Sequence, residues 1–242
     1  MSEKPNKKVC IVTRYNETLD WLRYIIDSVD IVYIYNKGFN EKFFERFEYE
    51  KNKEKIIIKA LPNVGRIDHT LIYHILEHWD NLPDTLVCLP GSVMMCRNKG
   101  YYLNNIIRKV NFVGSRFSGF YSPRFYKVSP RFNYNIDNYQ CEGLCNRNDN
   151  PFVKSEYVDF QAWKKALVDD RPMRYVAMRT MFSVCKENIQ HIPKKVYENL
   201  LTSLSVGDNI ENGHFAERIW AHIFRQYSFD TKVTPQLTEN ES

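Results

Sequence analysis

Four short apolar runs in the first ninety residues are separated by segments in which apolar side chains recur with a helical period. Short, mostly apolar runs are typical of strands buried in a parallel sheet. They occupy residues 8–13, 31–35, 55–61 and 85–89. The intervening periodicity predicts helices at residues 17–29, 41–50 and 67–79. This alternation predicts an α/β fold with a Rossmann-like, mostly parallel sheet flanked by helices.

The second half of the chain is less regular. Residues 111–131 and 136–151 are polar and aromatic stretches of a kind that often forms binding loops. The other predicted elements are a strand and three helices, at residues 179–185, 186–190, 194–204 and 213–226. No linker divides the chain, so we predict one domain over residues 1–227 and a flexible polar tail over residues 228–242.

Composition narrows the class of protein without fixing its activity. Hydrophobic residues make up 43% and charged residues 26%, as in ordinary globular proteins. Lysine and arginine exceed aspartate and glutamate by five (34 − 29), a mild surplus that suits a phosphate-bearing ligand better than a nucleic acid. The sequence shows neither a long apolar membrane span nor the apolar core of a signal peptide. A cytoplasmic location and free thiols are therefore expected.

The loops after the predicted strands are candidate binding sites, because parallel sheets bind ligands beyond the carboxyl ends of their strands. The first of these loops contains Tyr15, Asn16 and Glu17. Tyr15 can stack on a base, and Asn16 or Glu17 can hydrogen-bond a base or a ribose. The alternative is that Asn16 caps the following helix and Glu17 interacts with its dipole.

The loop after the third predicted strand combines several groups that suit a nucleotide. Gly65 permits a tight turn, Arg66 can bind phosphate through two parallel hydrogen bonds, and Asp68 can hold a ribose or sugar hydroxyl. His69 lies in the same loop. The alternative is an ordinary strand-to-helix connection in which Asp68 caps the helix.

Patterns for a protein-built metal site are weak. His74 and His78 are four residues apart, but Ile75 stands where a zinc protease would carry glutamate. Cys141 and Cys145 lack two further ligands close in sequence. We therefore predict no metal site from these residues.

Several segments, taken in order, resemble a known family. They are RYNETLDWL, YNKG, LPNVGRIDHTLIYHI, LPDTLVCLPGS, MFSVCKENI and GHFAERIWAHIF. Together they resemble the GT-A glycosyltransferases, and most closely an uncharacterised glycosyltransferase-like family of fungi and large DNA viruses. The resemblance spans about residues 9–226 and is poor between 111 and 160.

The resemblance implies a GT-A-like fold, a UDP- or GDP-linked sugar as donor, and a glycan or protein as acceptor. A viral member of the family would act in the host cytoplasm. The implied donor-binding residues are Arg14, Tyr15, Asn16, Glu17, Lys37, Arg66, Asp68, His69, Gly91 and Ser92.

An acidic residue on the last predicted helix is the general base that the resemblance implies. Glu217, in an E-R-x-W sequence, and Glu211 occupy matching positions. A carboxylate beside the acceptor hydroxyl can take its proton as the anomeric carbon is attacked, which favours an inverting transfer. The alternative for Glu217 is an ion pair with Arg218 or Arg225.

The chain departs from the family pattern at the end of the fourth predicted strand. GT-A enzymes usually carry Asp-x-Asp there, which holds a divalent metal against the diphosphate. Residues 89–92 read Leu-Pro-Gly-Ser, and the chain contains no Asp-x-Asp. Use of Mn²⁺ or Mg²⁺ therefore stays open. Cations could stabilise the diphosphate instead, and Arg66, Arg97, Lys99 and Arg116 are the candidates.

Two other functions stay open at this point. The chain could be a catalytically inactive module that binds a nucleotide-sugar or a glycan with the same fold. It could also bind nucleic acid through residues 116–139, where arginines alternate with aromatic rings. The modest net charge makes nucleic acid the less favoured partner.

Overall fold

The structure is a computed structural model that describes most of the chain between residues 6 and 225. The described residues are 6–39, 43, 45, 50–95, 104, 108, 117–119, 126–127, 132–135, 152–177 and 179–225. Their strands are β1 Lys8–Arg14, β2 Ile31–Asn36, β3 Ile56–Ala60, β4 Thr85–Pro90, β5 Phe117–Gly119, β6 Tyr126–Lys127, β7 Tyr175–Val176 and β8 Phe182–Cys185. The α-helices with described bounds are α1 Arg66–Glu77, α2 Phe160–Leu167, α3 Lys186–Gln190, α4 Lys194–Leu204 and α5 Glu211–Arg225. Short 3₁₀ helices lie at Asp20–Tyr24, Ile26–Ser28, Glu50–Lys55, Trp79–Asn81 and Gly91–Met95.

The main sheet has the strand order β3–β2–β1–β4–β8–β5. β1 runs parallel to β2 and β4, and β2 runs parallel to β3, whereas β8 is antiparallel to β4 and β5. The register aligns Arg14 with Asn36 and Thr13 with Pro90. The ends of β1, β2 and β4 therefore meet at one border of the sheet, which we call the carboxyl edge. This mostly parallel, mixed sheet is consistent with a Rossmann-like fold and confirms the predicted α/β class.

Two hydrophobic cores lie on the two faces of the sheet. Alternate residues of β1 belong to different cores, Val9 and Ile11 to the first and Cys10 and Val12 to the second. The first core also holds buried residues of α1, α2, α4 and α5. The second is covered mainly by the segment after β1, with Trp21 among its buried residues. Both Cys10 and Cys88 are buried free thiols, as expected.

The predicted helices of the first core are confirmed, with ends within two residues of those expected. The apolar face of α5 is fully buried and consists of Phe215, Ile219, Trp220, Ile223 and Phe224. In α1, Leu71, Ile72 and Ile75 are buried in the same way. Periodic burial of one helix face explains why these elements could be predicted from the sequence.

The prediction of one α-helix over residues 17–29 is wrong. The segment forms two 3₁₀ helices, Asp20–Tyr24 and Ile26–Ser28. Its backbone bonds join residues three apart, from Leu22 N to Leu19 O and from Ile25 N to Leu22 O, each 2.9 Å long. Leu19, Leu22 and Ile25 recur every three residues, so a 3₁₀ period buries all of them on one side. Asn16 therefore caps no helix, and the 3₁₀ helix that follows begins at Asp20.

The strand predicted over residues 179–185 is shorter than expected and begins at Phe182. Arg179 and Thr180 have φ angles of 65° and 47°, which extended backbone excludes. The start of this prediction is therefore wrong, and the two residues form a turn before β8.

Part of the aromatic stretch at residues 116–139 packs into the first core. Phe117 lies 5.3 Å from Phe182, and Phe132 lies 5.7 Å from Phe160, between ring centroids. Most of the stretch lies outside the described residues, as do Arg97, Lys99 and Arg116 and most of the helix predicted at 41–50.

Candidate functional site

Arg14 organises the loop that follows β1. Its buried guanidinium donates to Asn36 Oδ1 at 2.8 Å and to the carbonyl of Tyr15 at 3.1 Å. The Arg14 Nε donates to the carbonyl of Glu17 at 2.9 Å. Burial lowers the pKa of Arg14. These contacts tie the ends of β1 and β2 together from inside the protein.

Glu17 fixes the same loop through its carboxylate. Its Oε2 accepts hydrogen bonds from the backbone nitrogens of Tyr15 at 2.6 Å and Asn16 at 3.1 Å. Trp21 holds the start of the loop after β4, because its Nε1 donates to the carbonyl of Gly91 at 3.0 Å. Glu17 Oε2 is therefore occupied, whereas Tyr15 is 40% exposed and Asn16 is exposed at the carboxyl edge. Ser92, next to Gly91, is half-buried.

Gly38 allows the loops after β1 and β2 to touch. A Cβ atom at this position would lie 1.7 Å from the carbonyl oxygen of Tyr15. The amide of Asn36 donates to the carbonyl of Gly38 at 3.1 Å and holds the turn in place. No larger residue fits there without moving one of the two loops.

Lys37 connects β2 to the start of α1. Its buried ammonium donates to the carbonyls of Val64 and Arg66, both at 2.6 Å. Burial lowers the pKa of Lys37 to about 7, and the nearby Asp68 acts in the opposite direction. Lys37 therefore holds the backbone that carries Arg66.

The backbone turns sharply where α1 begins. Gly65 and Arg66 both have a φ of 56°, in the left-handed region that only glycine adopts without strain. The turn is braced by the loop between α4 and α5, since Gly65 N donates to the carbonyl of Gly207 at 2.7 Å. Asn63 Nδ2 donates to Asp208 Oδ2 at 2.9 Å and adds a second brace.

Arg66 and His69 lie in the first turn of α1. Arg66 is exposed, and its Nη1 donates toward the imidazole of His214, 3.1 Å from Nε2. His69 is 5% exposed, and its Nδ1 has no hydrogen-bond partner among the described residues. Burial and the charge of Lys37 lower the pKa of His69 to about 4, so the imidazole is neutral at pH 7.

Asp68 lies at the centre of the site and is only 1% exposed. Its Oδ1 accepts hydrogen bonds from Thr180 Oγ1 at 2.7 Å and from Trp220 Nε1 at 2.6 Å. Burial and the charge of Glu217 raise the pKa of Asp68 to about 6, although the two hydrogen bonds act to lower it. Asp68 therefore does not cap α1, because its carboxylate binds Thr180, in the turn before β8, and Trp220 on α5 instead.

Glu217 is the second carboxylate of the site. Its Oε1 accepts from the backbone nitrogen of Arg179 at 2.6 Å, and its Oε2 lies 3.5 Å from Arg218 Nη1. The ion pair with Arg218 that the sequence left open is therefore present. Arg218 itself is buried and stacks on the ring of Tyr134, 3.5 Å from its centroid. We call Asp68 and Glu217 the acid pair.

Backbone strain is concentrated around the acid pair. Among the described residues, the non-glycine residues with positive φ are Arg66, Arg179 and Thr180. Thr180 binds Asp68, Arg179 binds Glu217, and the charge of Arg66 acts on Asp68. Such residues cost about 1–3 kcal/mol each and cluster at functional sites. This concentration marks the acid pair as the candidate functional site.

Glu211 has a different environment. Its Oε2 accepts from the backbone nitrogen of Ser155 at 3.0 Å, and its own nitrogen donates to the carbonyl of Val153 at 3.0 Å. These bonds fasten residues 152–155 to the start of α5. A catalytic role for Glu211 stays a prediction.

Sequence reasoning missed several residues of the site. Trp220 follows Glu217 by three positions, so the helical period could have placed both on one face of α5. Thr180 and Arg179 give no such signal, because they reach the acid pair only through the tertiary fold. His214 was also missed; it lies beside Arg66, and burial together with the charge of Arg66 lowers its pKa to about 3.

A divalent cation does not fit the described part of the site. The described residues contain no cluster of three or more His, Cys, Asp or Glu side chains that could hold a metal. Glu17 Oε2, Asp68 Oδ1 and Glu217 Oε1 each accept a hydrogen bond from the protein itself. The end of β4 offers Pro90 and Gly91 instead of carboxylates.

Comparison with protein-family models, curated proteins and solved structures found no match to the chain. Function is therefore inferred from the geometry of the carboxyl edge and from the motif resemblance. Among the described helices, none is both long enough and apolar enough to cross a membrane.

Proposed function

We propose that the chain is a glycosyltransferase that binds a nucleoside-diphosphate sugar at the carboxyl edge. The proposal is supported chiefly by the meeting of Lys37, Asp68 and Glu217, which come from separate motifs of the resemblance. Lys37 contacts the backbone of Arg66, and the charge of Glu217 raises the pKa of Asp68. The acid pair thus joins two distant motifs, and Lys37 from a third lies beside it, in a fold that binds nucleotides at the carboxyl ends of its strands.

The loop after β1 suits the nucleoside part of the donor. Tyr15 and Asn16 are exposed there, and the bonds of Arg14 and Glu17 fix their backbone. An aromatic ring can stack on a base while an amide hydrogen-bonds its edge. The proposed base contacts therefore need little rearrangement of the loop.

Glu217 is the proposed general base. It takes the proton of the acceptor hydroxyl as the hydroxyl oxygen bonds to the anomeric carbon. The bond from that carbon to the diphosphate breaks, and the electron pair leaves with the nucleoside diphosphate. Arg218 Nη1 lies 3.5 Å from Glu217 Oε2, so the proposed base is held beside a positive charge.

The second candidate function is a binding module of the same fold without transfer activity. It is favoured by the contacts of Glu217, because one oxygen accepts from Arg179 and the other faces Arg218. A carboxylate held in this way can serve the structure alone.

A thermal-shift panel of UDP-, GDP- and dTDP-sugars, in Mn²⁺ and in EDTA, tests the proposed binding. We expect at least one sugar nucleotide to raise the melting temperature, because it binds the folded state. Donor hydrolysis should then disappear in Glu217→Gln and persist in Glu198→Gln, which removes a more exposed carboxylate on α4. Stabilisation without turnover by the wild type would identify the binding module. No stabilisation by any member of the panel would contradict both functions.

A further inference from the structure

The carboxylates of the carboxyl edge are already engaged within the described residues. Glu17 accepts two backbone N–H groups, Asp68 accepts a hydroxyl and an indole N–H, and Glu217 accepts a backbone N–H. The described residues contain no cluster of three or more His, Cys, Asp or Glu side chains that could hold a divalent cation. Cationic side chains are the alternative source of the charge that offsets a diphosphate.

Two exposed arginines flank the acid pair. Arg66 Nη1 contacts His214, and Arg179 N contacts Glu217. His214 and Glu217 are three residues apart on α5, a spacing at which side chains are neighbours with Cβ atoms about 5–6 Å apart. The Arg66 side chain and the Arg179 backbone therefore contact neighbouring positions of α5.

Guanidinium groups suit this position because they bind phosphate oxygens through two parallel hydrogen bonds and stay charged. The left-handed backbones of Arg66 and Arg179 are strained, with φ angles of 56° and 65°. Glycine could adopt both conformations without that strain. Arginine at both positions therefore suggests a role for the side chain that outweighs its conformational cost.

His69 adds a third group in the first turn of α1. Its Nδ1 is buried and has no hydrogen-bond partner among the described residues. A buried polar atom of this kind normally has a partner. Protein atoms cover this nitrogen, so a phosphate oxygen beside the start of α1 would reach it only after a local rearrangement, whereas the helix N-terminus already favours negative charge.

We propose that Arg66 and Arg179 bind the diphosphate of the donor directly, in place of a divalent cation. This inference rests on the proposed function, since it assumes that the carboxyl edge receives a sugar nucleotide. In enzymes with Asp-x-Asp, the metal held by that motif neutralises the diphosphate. Here two arginine side chains would do so.

Calorimetric titration of the full chain with UDP, GDP, UMP and GMP tests the assignment. In excess EDTA we expect a nucleoside diphosphate to bind more tightly than the matching monophosphate. Replacing EDTA with MnCl₂ should leave its affinity unchanged. Arg66→Gln and Arg179→Gln should each weaken diphosphate binding about tenfold, and the lysine variants should recover part of the loss.

Lys195→Gln is the matched control for loss of charge. Lys195 is exposed near the start of α4, whereas the opposite end of that helix approaches Gly65. The Lys195→Gln variant should bind the nucleoside diphosphate as tightly as the wild type does. Circular dichroism should show that all variants are folded, because the three replaced side chains are exposed.

The outcomes separate this inference from the proposed function. Binding that requires Mn²⁺ would overturn the metal-free assignment and leave glycosyl transfer standing. Wild-type affinity in both glutamine variants would also overturn it. Absence of binding by any nucleotide or sugar nucleotide, with or without Mn²⁺, would overturn the inference and the proposed function together.

Discussion

The indole Nε1 of Trp220 donates a 2.6 Å hydrogen bond to Oδ1 of Asp68, joining residues 152 positions apart in the chain. This bond links the first turn of α1 to the middle of α5 inside the first core. It also fixes the buried carboxylate that faces Glu217. The bond therefore couples the packing of two helices to the geometry of the acid pair.

Trp220→Phe should destabilise the protein by about 1–3 kcal/mol, because a buried carboxylate loses a donor. Urea denaturation would measure the change. Trp163→Phe is a matched control, since Trp163 is equally buried and its Nε1 has no partner among the described residues. Trp163→Phe should lower the free energy of unfolding by less than Trp220→Phe does. Equal losses in the two variants would show that the bond to Asp68 contributes no stability.

Asp68→Asn should change how stability depends on pH. The pKa of Asp68 is about 6 in the folded chain and near 3.8 when unfolded, so the folded state holds the proton more tightly. The contribution of Asp68 is therefore fully present below pH 4 and is lost as the pH rises through 6. The full change is roughly 3 kcal/mol.

The difference in unfolding free energy between wild type and Asp68→Asn, measured from pH 4 to 7, isolates this effect. Titration of the buried histidines occurs in both chains and largely cancels. Parallel stability curves across that range would contradict the raised pKa.

Arg179→Gly should separate strain from function. Glycine adopts a φ of 65° readily, so the variant should be as stable as the wild type or up to about 1 kcal/mol more stable. Its affinity for a nucleoside diphosphate should fall. Arg174→Gly, at an exposed position without positive φ, should instead be destabilised. A clear loss of stability in Arg179→Gly would contradict the claim that the backbone of Arg179 is strained.

Gly38→Ala should disturb the loops that carry Tyr15 and Asn16. Its methyl group would lie 1.7 Å from the carbonyl of Tyr15, so one loop must move, at a cost of about 1–3 kcal/mol. Thermal denaturation and nucleotide titration should both register the change. At Gly207 the nearest atom to an added Cβ is a side-chain methyl of Ile210 at 3.3 Å, so Gly207→Ala should be milder.

The strands β1 and β4 were predictable because both faces of the sheet are covered there, and α1, α4 and α5 because one face of each helix is buried, whereas α2 and β5 were not predicted. Val9, Ile11 and Leu86 lie in apolar runs, and the spacing of Phe215, Ile219 and Trp220 follows the helical period. Residues 17–29 misled the prediction because Leu19, Leu22 and Ile25 satisfy a 3₁₀ period and the start of a helical one equally well.

The site was only partly predictable for a physical reason. Asp68 and Glu217 lie in recognisable motifs, but Thr180 reaches Asp68 from 112 residues away and no local pattern marks it. Arg14 shows the opposite case, because its sequence position suggested a ligand contact while its guanidinium binds the protein's own Asn36. The residue types showed which side chains can donate, accept or carry charge. Which partner each of these side chains binds depended on the tertiary packing.

The two braces from the α4–α5 loop have a consequence beyond the site itself. Gly207 and Asp208 hold the turn that presents Arg66, through Gly65 and Asn63. We expect sequence changes in this loop to adjust ligand affinity gradually, by altering the angle at which Arg66 leaves the backbone. Such changes would leave the contacts of the acid pair intact, so sequence variation in this loop would alter the proposed ligand binding without altering the proposed general base.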